Sequence, residues 1–259
     1  MNYIVLDIEF NGRKFASEHP MEVIEIGAVR LNDSLEIVDE FSSLIKPIYF
    51  STLNSFIRKK TGIPQEDIDV APRFPKVMAA FRQWLDACPG DTLFLTWGGE
   101  DMKRIIQDVR MHKLDEAYWM EALYFDLLKG LVRARGLKND VSVESAMELL
   151  GLSPEGSAHR ALDDARMTAD IFRALFGELD FERSQHYVDT FTNAKERKTV
   201  KLAIKAIQAQ KVQPTWELVA EHYFTGKVSM DDPRKEAELR AIFEAEMHKN
   251  PRQGGPAGS

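Results

Sequence analysis

Cysteine is almost missing from this chain: Cys88 is the only one in 259 residues. A lone thiol cannot close an internal disulfide, so a stapled secreted scaffold is excluded and a reducing compartment is expected. Long apolar runs are missing too. No stretch approaches the roughly eighteen residues of a membrane-spanning helix, and the opening MNYIVLDIEF lacks the basic region of a secretory leader. The expected location is cytoplasmic. There is no internal repeat, and no excess of positive charge: the net charge is −7. That balance argues at first against a polyanionic partner, but it is uneven. Residues 1–180 carry 21 Lys+Arg against 30 Asp+Glu, whereas residues 181–259 carry 13 against 11. Carboxylates gathered around divalent cations would account for part of the N-terminal excess.

What is present is ordinary globular material, 44% hydrophobic and 29% charged. Three strand-like runs open the chain, Tyr3–Glu9, Glu22–Leu31 and Leu35–Ile45, the last two joined by a hairpin turn at Asn32-Asp33-Ser34. Residues 52–87 read as helical, with breaks at Thr61-Gly62-Ile63-Pro64 and between Pro72 and Pro75. DTLFLTW (91–97) is a short buried strand, and Gly98-Gly99 opens the helix EDMKRIIQDVRMH. ALYFDLL starts as a strand and turns helical, VSVESAMELLG is a short helix stopped at Gly151, and a longer helix runs from about Ser157 to Gly177. This order predicts an α/β fold, a mixed five-stranded sheet flanked by helices rather than a repeating βαβ array. Residues 181–250 turn helix-prone and charge-rich, which predicts a helical appendage. The Gly/Pro/Ser tail at 251–259 is expected to be disordered.

Asp7 and Glu9 stand two apart on the first strand, so they share a face. Two adjacent carboxylates repel and are costly to desolvate. Either both are solvated at a strand end, or they share hard divalent cations that reverse the repulsion. Asp101, at the start of the helix after Gly98-Gly99, is a second acidic candidate, with Glu100 as its competitor or a helix-dipole role as the alternative. His159 and Asp164 open the long helix. Five residues apart, they allow the imidazole to sit at the helix lip while Asp164 points inward and Asp163, about 100° round, points outward.

A D-x-E on the first strand, an Asp after a later strand and an H-x-x-x-x-D on a closing helix resemble the sequence blocks of DEDDh-type (DnaQ-like) 3′–5′ exonucleases, which have a ribonuclease H-like fold. EVIEIGAVRLN, TGIPQEDI, YFDLLKGL and SAHRALDDARMTADIF look like the same family, and TWGGEDM is most similar to its enhanced-RNAi-type and bacterial KapD-like subgroup. The resemblance covers roughly residues 1–180. It implies Asp7, Glu9, Asp101 and Asp164 as the acidic quartet and His159 as general base. It also implies two Mg²⁺ or Mn²⁺ ions, one held by Asp7, Glu9 and Asp164, the other mainly by Asp7 with Asp101 acting directly or through water. The implied reaction is hydrolysis of terminal phosphodiesters of single-stranded or 3′-overhanging nucleic acid, RNA slightly ahead of DNA, releasing nucleoside 5′-monophosphates. Phe10, Asn11 and Met102 are then expected near the terminal nucleotide, Arg160 near a phosphate, and Trp97 beneath the site. The stretch Lys195-Glu196-Arg197-Lys198, continued by Lys201, Lys205 and Lys211, is either a solvated helix face or an electrostatic track. A non-catalytic regulator acting through a protein partner, with 181–250 as its docking segment, and a polymerase proofreading subunit are the alternatives.

Overall fold

Strand β1 (Asn2–Asn11) owes its central place to an apolar run that alternates between two cores. Ile4, Leu6 and Ile8 join one buried cluster and Tyr3 and Val5 the other. In the computed structural model, which describes residues 1–12, 19–153, 159–226 and 228–249, the chain divides into two compact units, Met1–Tyr187 and Val188–Ser259.

In the first unit β1 lies between β2 (Glu22–Leu31), antiparallel, and β4 (Thr92–Thr96), parallel. With β3 (Ile37–Leu44), β5 (Leu123–Asp126) and β6 (Gln185–His186) the sheet order is β3-β2-β1-β4-β5-β6. It therefore has six strands, not the expected five. The two-residue β6 is too short to show any alternation in sequence, and it pairs Leu123 with His186 at the sheet edge. Phe181, expected to open the appendage, instead packs on Phe125, centroids 5.3 Å apart, so residues 181–187 close the first unit.

Residues 52–87 resolve into α1 (Ser55–Thr61), α2 (Gln65–Val70) and α3 (Phe74–Asp86), broken where Gly62 takes φ 68° and Pro64 and Pro72 interrupt the chain. α4 (Glu100–Met111) follows β4, and α5 (Ala117–Glu121) precedes β5. α6 (Leu127–Ala134) and α7 (Val143–Leu149) lead to α8 (Ala161–Leu175). α8 starts later than the pattern suggested. Arg160 is its N-cap, His159 precedes it at φ 68°, and Ser157 lies outside the described residues. The second unit holds α9 (Ala194–Ala209), α10 (Trp216–Val219) running into a π-helical turn, and α11 (Pro233–Lys249), around a core that includes Val200, Ile204, Trp216, Val219 and Leu239. Residues 251–259, expected to be disordered, are outside the described residues.

Two local devices bring α4 and α8 close to β1. A bulge where the β1–β2 register shifts between Glu9 and Phe10 accompanies a bond from outside the sheet: the Val23 N–H donates to Asp108 Oδ2 of α4 at 2.8 Å. Opposite Asp7, Gly27 of β2 leaves space that the backbone at the start of α8 fills. A Cβ there would lie 2.1 Å from the Leu162 nitrogen and 2.2 Å from the Ala161 carbonyl carbon. Gly27→Ala should therefore push α8 off the sheet and lower stability by about 1–3 kcal/mol, read by urea denaturation. An unchanged midpoint would show that the approach is not tight.

Candidate active site

Strand alternation turns Asp7 and Glu9 toward the face of Tyr3 and Val5, which α8 covers. The Gly27 approach lets α8 deliver Asp164 there, while the turn after β4 delivers Asp101 from the first turn of α4. Ligand atoms of Glu9, His159 and Asp164 all lie within 4.8 Å of one another. Asp7 is half-buried and feels the charges of Asp101, Asp164 and Glu9. Glu9, His159 and Asp164 thus come within ligand distance of one another, and Asp7 and Asp101 lie near enough to act on each other's charge. Glu100 does not join them: it faces Lys103 and Arg104, at 3.2 and 3.1 Å. Asp163 pairs with Arg166 at 3.0 Å.

His159 adopts left-handed backbone, a conformation that costs a non-glycine residue energy but that His tolerates better than most. The conformation coincides with a useful bond, for the His159 N–H donates to Asp164 Oδ2 at 3.0 Å. The donor is the main-chain amide, so the backbone at His159 and the Asp164 carboxylate are thereby tied together.

Burial is the first cause of every shift in the cluster. It pushes Glu9 up to about 7, against the opposing charge of Lys60, and Asp101 to about 8, with Glu100 and Glu9 adding repulsion. It also lifts Asp164 to about 6. Asp7 is raised well above the ordinary carboxylate range by burial and then by Asp101, Asp164 and Glu9. Asp7 Oδ2 is buried without a hydrogen-bond partner among the described residues. An unpartnered carboxylate oxygen amid three other carboxylates is a donor set suited to a hard divalent cation.

Three expected substrate contacts turn out differently. Asn11 is wholly buried: its Nδ2 donates to the Phe50 and Thr52 carbonyls at 2.8 and 3.1 Å, and its Oδ1 accepts from the Asn54 N–H at 2.9 Å. It holds the 50–54 segment and has no free edge for a nucleotide. Met102 is also wholly buried, in the core, because α4 turns it inward. Arg160 is bonded to the buried Glu25, Nη2 to Oε1 at 2.8 Å. Phe10 remains half-buried, with the Arg104 guanidinium carbon 5.2 Å from its ring centroid. Trp97 packs against the second core and donates to the Val141 carbonyl.

Sequence reasoning missed Glu25 and Lys60. Glu25 faces Glu9 across the β1–β2 ladder and accepts from the Ala161 N–H at 3.1 Å, so it caps α8 from the sheet. The E-x-x-E spacing of β2 carried no signal for this. Lys60, the last residue but one of α1, places Nζ 3.8 Å from Glu9 Oε2. In sequence it was one of three consecutive basic residues, indistinguishable from a solvated turn.

The profile of the family described as Exonuclease matches residues 4–172. The chain belongs to the exonuclease family. It is 34% identical over 173 residues to the DNA polymerase III PolC-type of Thermotoga petrophila, across 66% of this chain but only 11% of that protein. Over 175 residues it is 28% identical to the probable 3′–5′ exonuclease KapD of Bacillus subtilis, spanning 66% of this chain and 83% of KapD. The solved nuclease domain of 3′hExo, a DEDDh family member bound to rAMP, superposes with a TM-score of 0.63 at 24% identity. That match covers 72% of this chain and 97% of the domain, and it agrees with the expected ribonuclease H-like sheet.

Carboxylates raised on folding hold protons that the unfolded chain has already released. Without divalent ions, stability should therefore be highest near pH 4 and fall as pH rises through the window from about 4 to 8. Saturating Mn²⁺ should flatten that slope. Asp7→Asn should raise the ion-free melting temperature at pH 7.5 and abolish the Mn²⁺-induced gain. Melting curves in chelator and in Mn²⁺ across pH check both, and an Asp7→Asn protein melting below the parent in chelator would refute the repulsion.

Proposed function

We propose that this chain is a 3′–5′ exonuclease that hydrolyses the terminal phosphodiester of single-stranded or 3′-overhanging nucleic acid and releases nucleoside 5′-monophosphates. The observation that supports it best is the buried, orphaned Asp7 Oδ2 close to three buried carboxylates, two of which lie within 4.8 Å of His159. Asp7, Glu9, Asp164 and Asp101 would hold two divalent cations, Mg²⁺ or Mn²⁺. Such ions, when bound, lower the pKa of water and offset charge on the attacking and leaving oxygens.

The protein's own part is proton transfer and positioning. His159 accepts the proton of the attacking water, the role of a general base. The bond from its backbone N–H to Asp164 ties the main chain at this position to the carboxylate at the start of α8. Lys60 carries a positive charge at the rim of an otherwise acidic site, where it steadies Glu9 and meets an incoming phosphate. Arg160, tied to Glu25, orients the start of α8 rather than gripping substrate. RNA is set narrowly ahead of DNA on the likeness of TWGGEDM to the enhanced-RNAi-type subgroup. The higher identity to PolC-type polymerases favours a second reading in which DNA 3′ ends are the substrate.

Incubation of 5′-labelled RNA and DNA oligonucleotides with Mn²⁺ should give ladders shortening from the 3′ end, lost on chelation, and the faster ladder identifies the sugar. His159→Ala should reduce turnover by roughly 10²–10⁴-fold while calorimetry still detects Mn²⁺ binding. Lys60→Met should flatten the plot of log affinity against log salt by about 0.7, the share of one single-strand phosphate contact. No product from either sugar, or full turnover without His159, would overturn the proposal.

A further inference from the structure

α9 separates its charge and its apolar residues onto opposite faces. Lys195, Lys198, Lys201 and Lys205 are all exposed. At about 100° per residue they fall within an arc of about 120°. The opposite side carries Val200, Ala203, Ile204 and Ile207, which are buried in the second unit's own core. The only carboxylate on α9, Glu196, is turned inward, where it completes the helix N-cap and pairs with Lys235 at 3.0 Å.

The other described cations of this unit, apart from Lys211, have partners. Arg197 donates to the Thr192 carbonyl at 2.6 Å, Arg234 meets Asp232 at 2.9 Å, Arg240 meets Glu236 at 3.7 Å and Lys249 meets Glu246 at 3.8 Å. Among the described residues, no carboxylate lies within ion-pair distance of the four α9 lysines. An ordinary solvated helix mixes signs, with acids one turn from its lysines. This one leaves four cations uncompensated on a rigid, capped scaffold, in the part of the chain where positive charge exceeds negative.

We propose that the outer face of α9 is a second nucleic-acid site, binding the phosphate backbone of single-stranded RNA or DNA without base readout. The ligand must be polyanionic and tolerate spaced point charges, since successive lysines stand about one turn, or ~5 Å, apart. A lipid surface fits less well. A helix lying in a membrane interface needs a free apolar face, and the apolar face of α9 is consumed by the core, with only Leu202 exposed among the lysines. The choice of nucleic acid over another polyanion rests on the proposed exonuclease function. Chain linkage to a site that consumes 3′ ends would raise the local concentration of a long substrate without adding contacts to its terminal nucleotide.

The test uses the full chain with Lys198, Lys201 and Lys205 changed to Gln, which preserves helix propensity, and a second variant with all three changed to Glu. Anisotropy of a labelled 20-nucleotide strand in chelator, from 50 to 300 mM KCl, should show binding weakened on the order of tenfold at low salt. The slope against log salt should flatten by about 2, three contacts at ~0.7 each, and the Glu variant should bind more weakly still. Hydrolysis of a trinucleotide in Mn²⁺ should match the parent. An unchanged salt slope in both variants would overturn the proposal. So would loss of binding to phosphatidylserine vesicles with the oligonucleotide slope intact, which would reassign the face to a membrane. If the parent left the trinucleotide uncut, the exonuclease reading would fail while the slopes still decided whether α9 grips phosphates.

Discussion

Repulsion among Asp7, Glu9, Asp101 and Asp164 is the constraint around which the first unit is arranged. In a folded chain such a cluster is unfavourable twice over, because each carboxylate loses water and each faces the others. The surrounding elements do nothing to neutralise it fully. They supply a lysine at 3.8 Å from Glu9, a backbone N–H to Asp164 and backbone hydrogen bonds to Asp101, and leave Asp7 Oδ2 without a partner among the described residues. A core designed for stability alone would place apolar groups there. The arrangement makes sense as a stored electrostatic deficit that a doubly charged cation reverses.

Holding those charges together requires rigid geometry, and the fold provides it by close contact between regular elements. β1 is buried on both faces, so the alternation of its side chains cannot slip without exposing an apolar set. Gly27 lets α8 touch β2 backbone to backbone, and Glu25 bonds the first N–H of that helix. Asp108 takes up the Val23 N–H beside the β1–β2 bulge. Each contact sits within a few residues of an acidic group of the cluster. The scaffold and the site are in this sense one structure, since whatever loosens α8 also moves Asp164 and His159.

Charge is distributed between the two units in opposite senses. The first concentrates carboxylates in its interior and pairs most surface charge locally, as with Arg166 and Glu40. The second buries its one α9 carboxylate and leaves the lysines of that helix facing water. An acidic site that binds a polyanion must rely on cations to overcome its own field. On the proposed reading, the basic face of α9 would relieve part of that burden by holding the nucleic acid through its phosphates.

Much of this was legible before any coordinates. Glu22–Leu31 reads as a strand because Val23, Ile24, Ile26, Val29 and Leu31 fill it with apolar, mostly β-branched residues, and it is a strand over that same range. The order of the D-x-E, Asp and H-x-x-x-x-D blocks identified the family, because residue types at chemically required positions survive in the linear text. Other features were not legible. β6 is too short to have a period, and Phe181 looks like any aromatic until Phe125 is found beneath it. Asn11 and Met102 stand next to site residues in sequence, yet a strand and a helix turn neighbours in different directions, and both are buried away from substrate. Lys60 and Glu25 join the site only through tertiary approach. The sequence by itself determined which atoms could do the chemistry. Only folding decided which of them meet, because distance between remote residues is a property of packing and not of spacing along the chain.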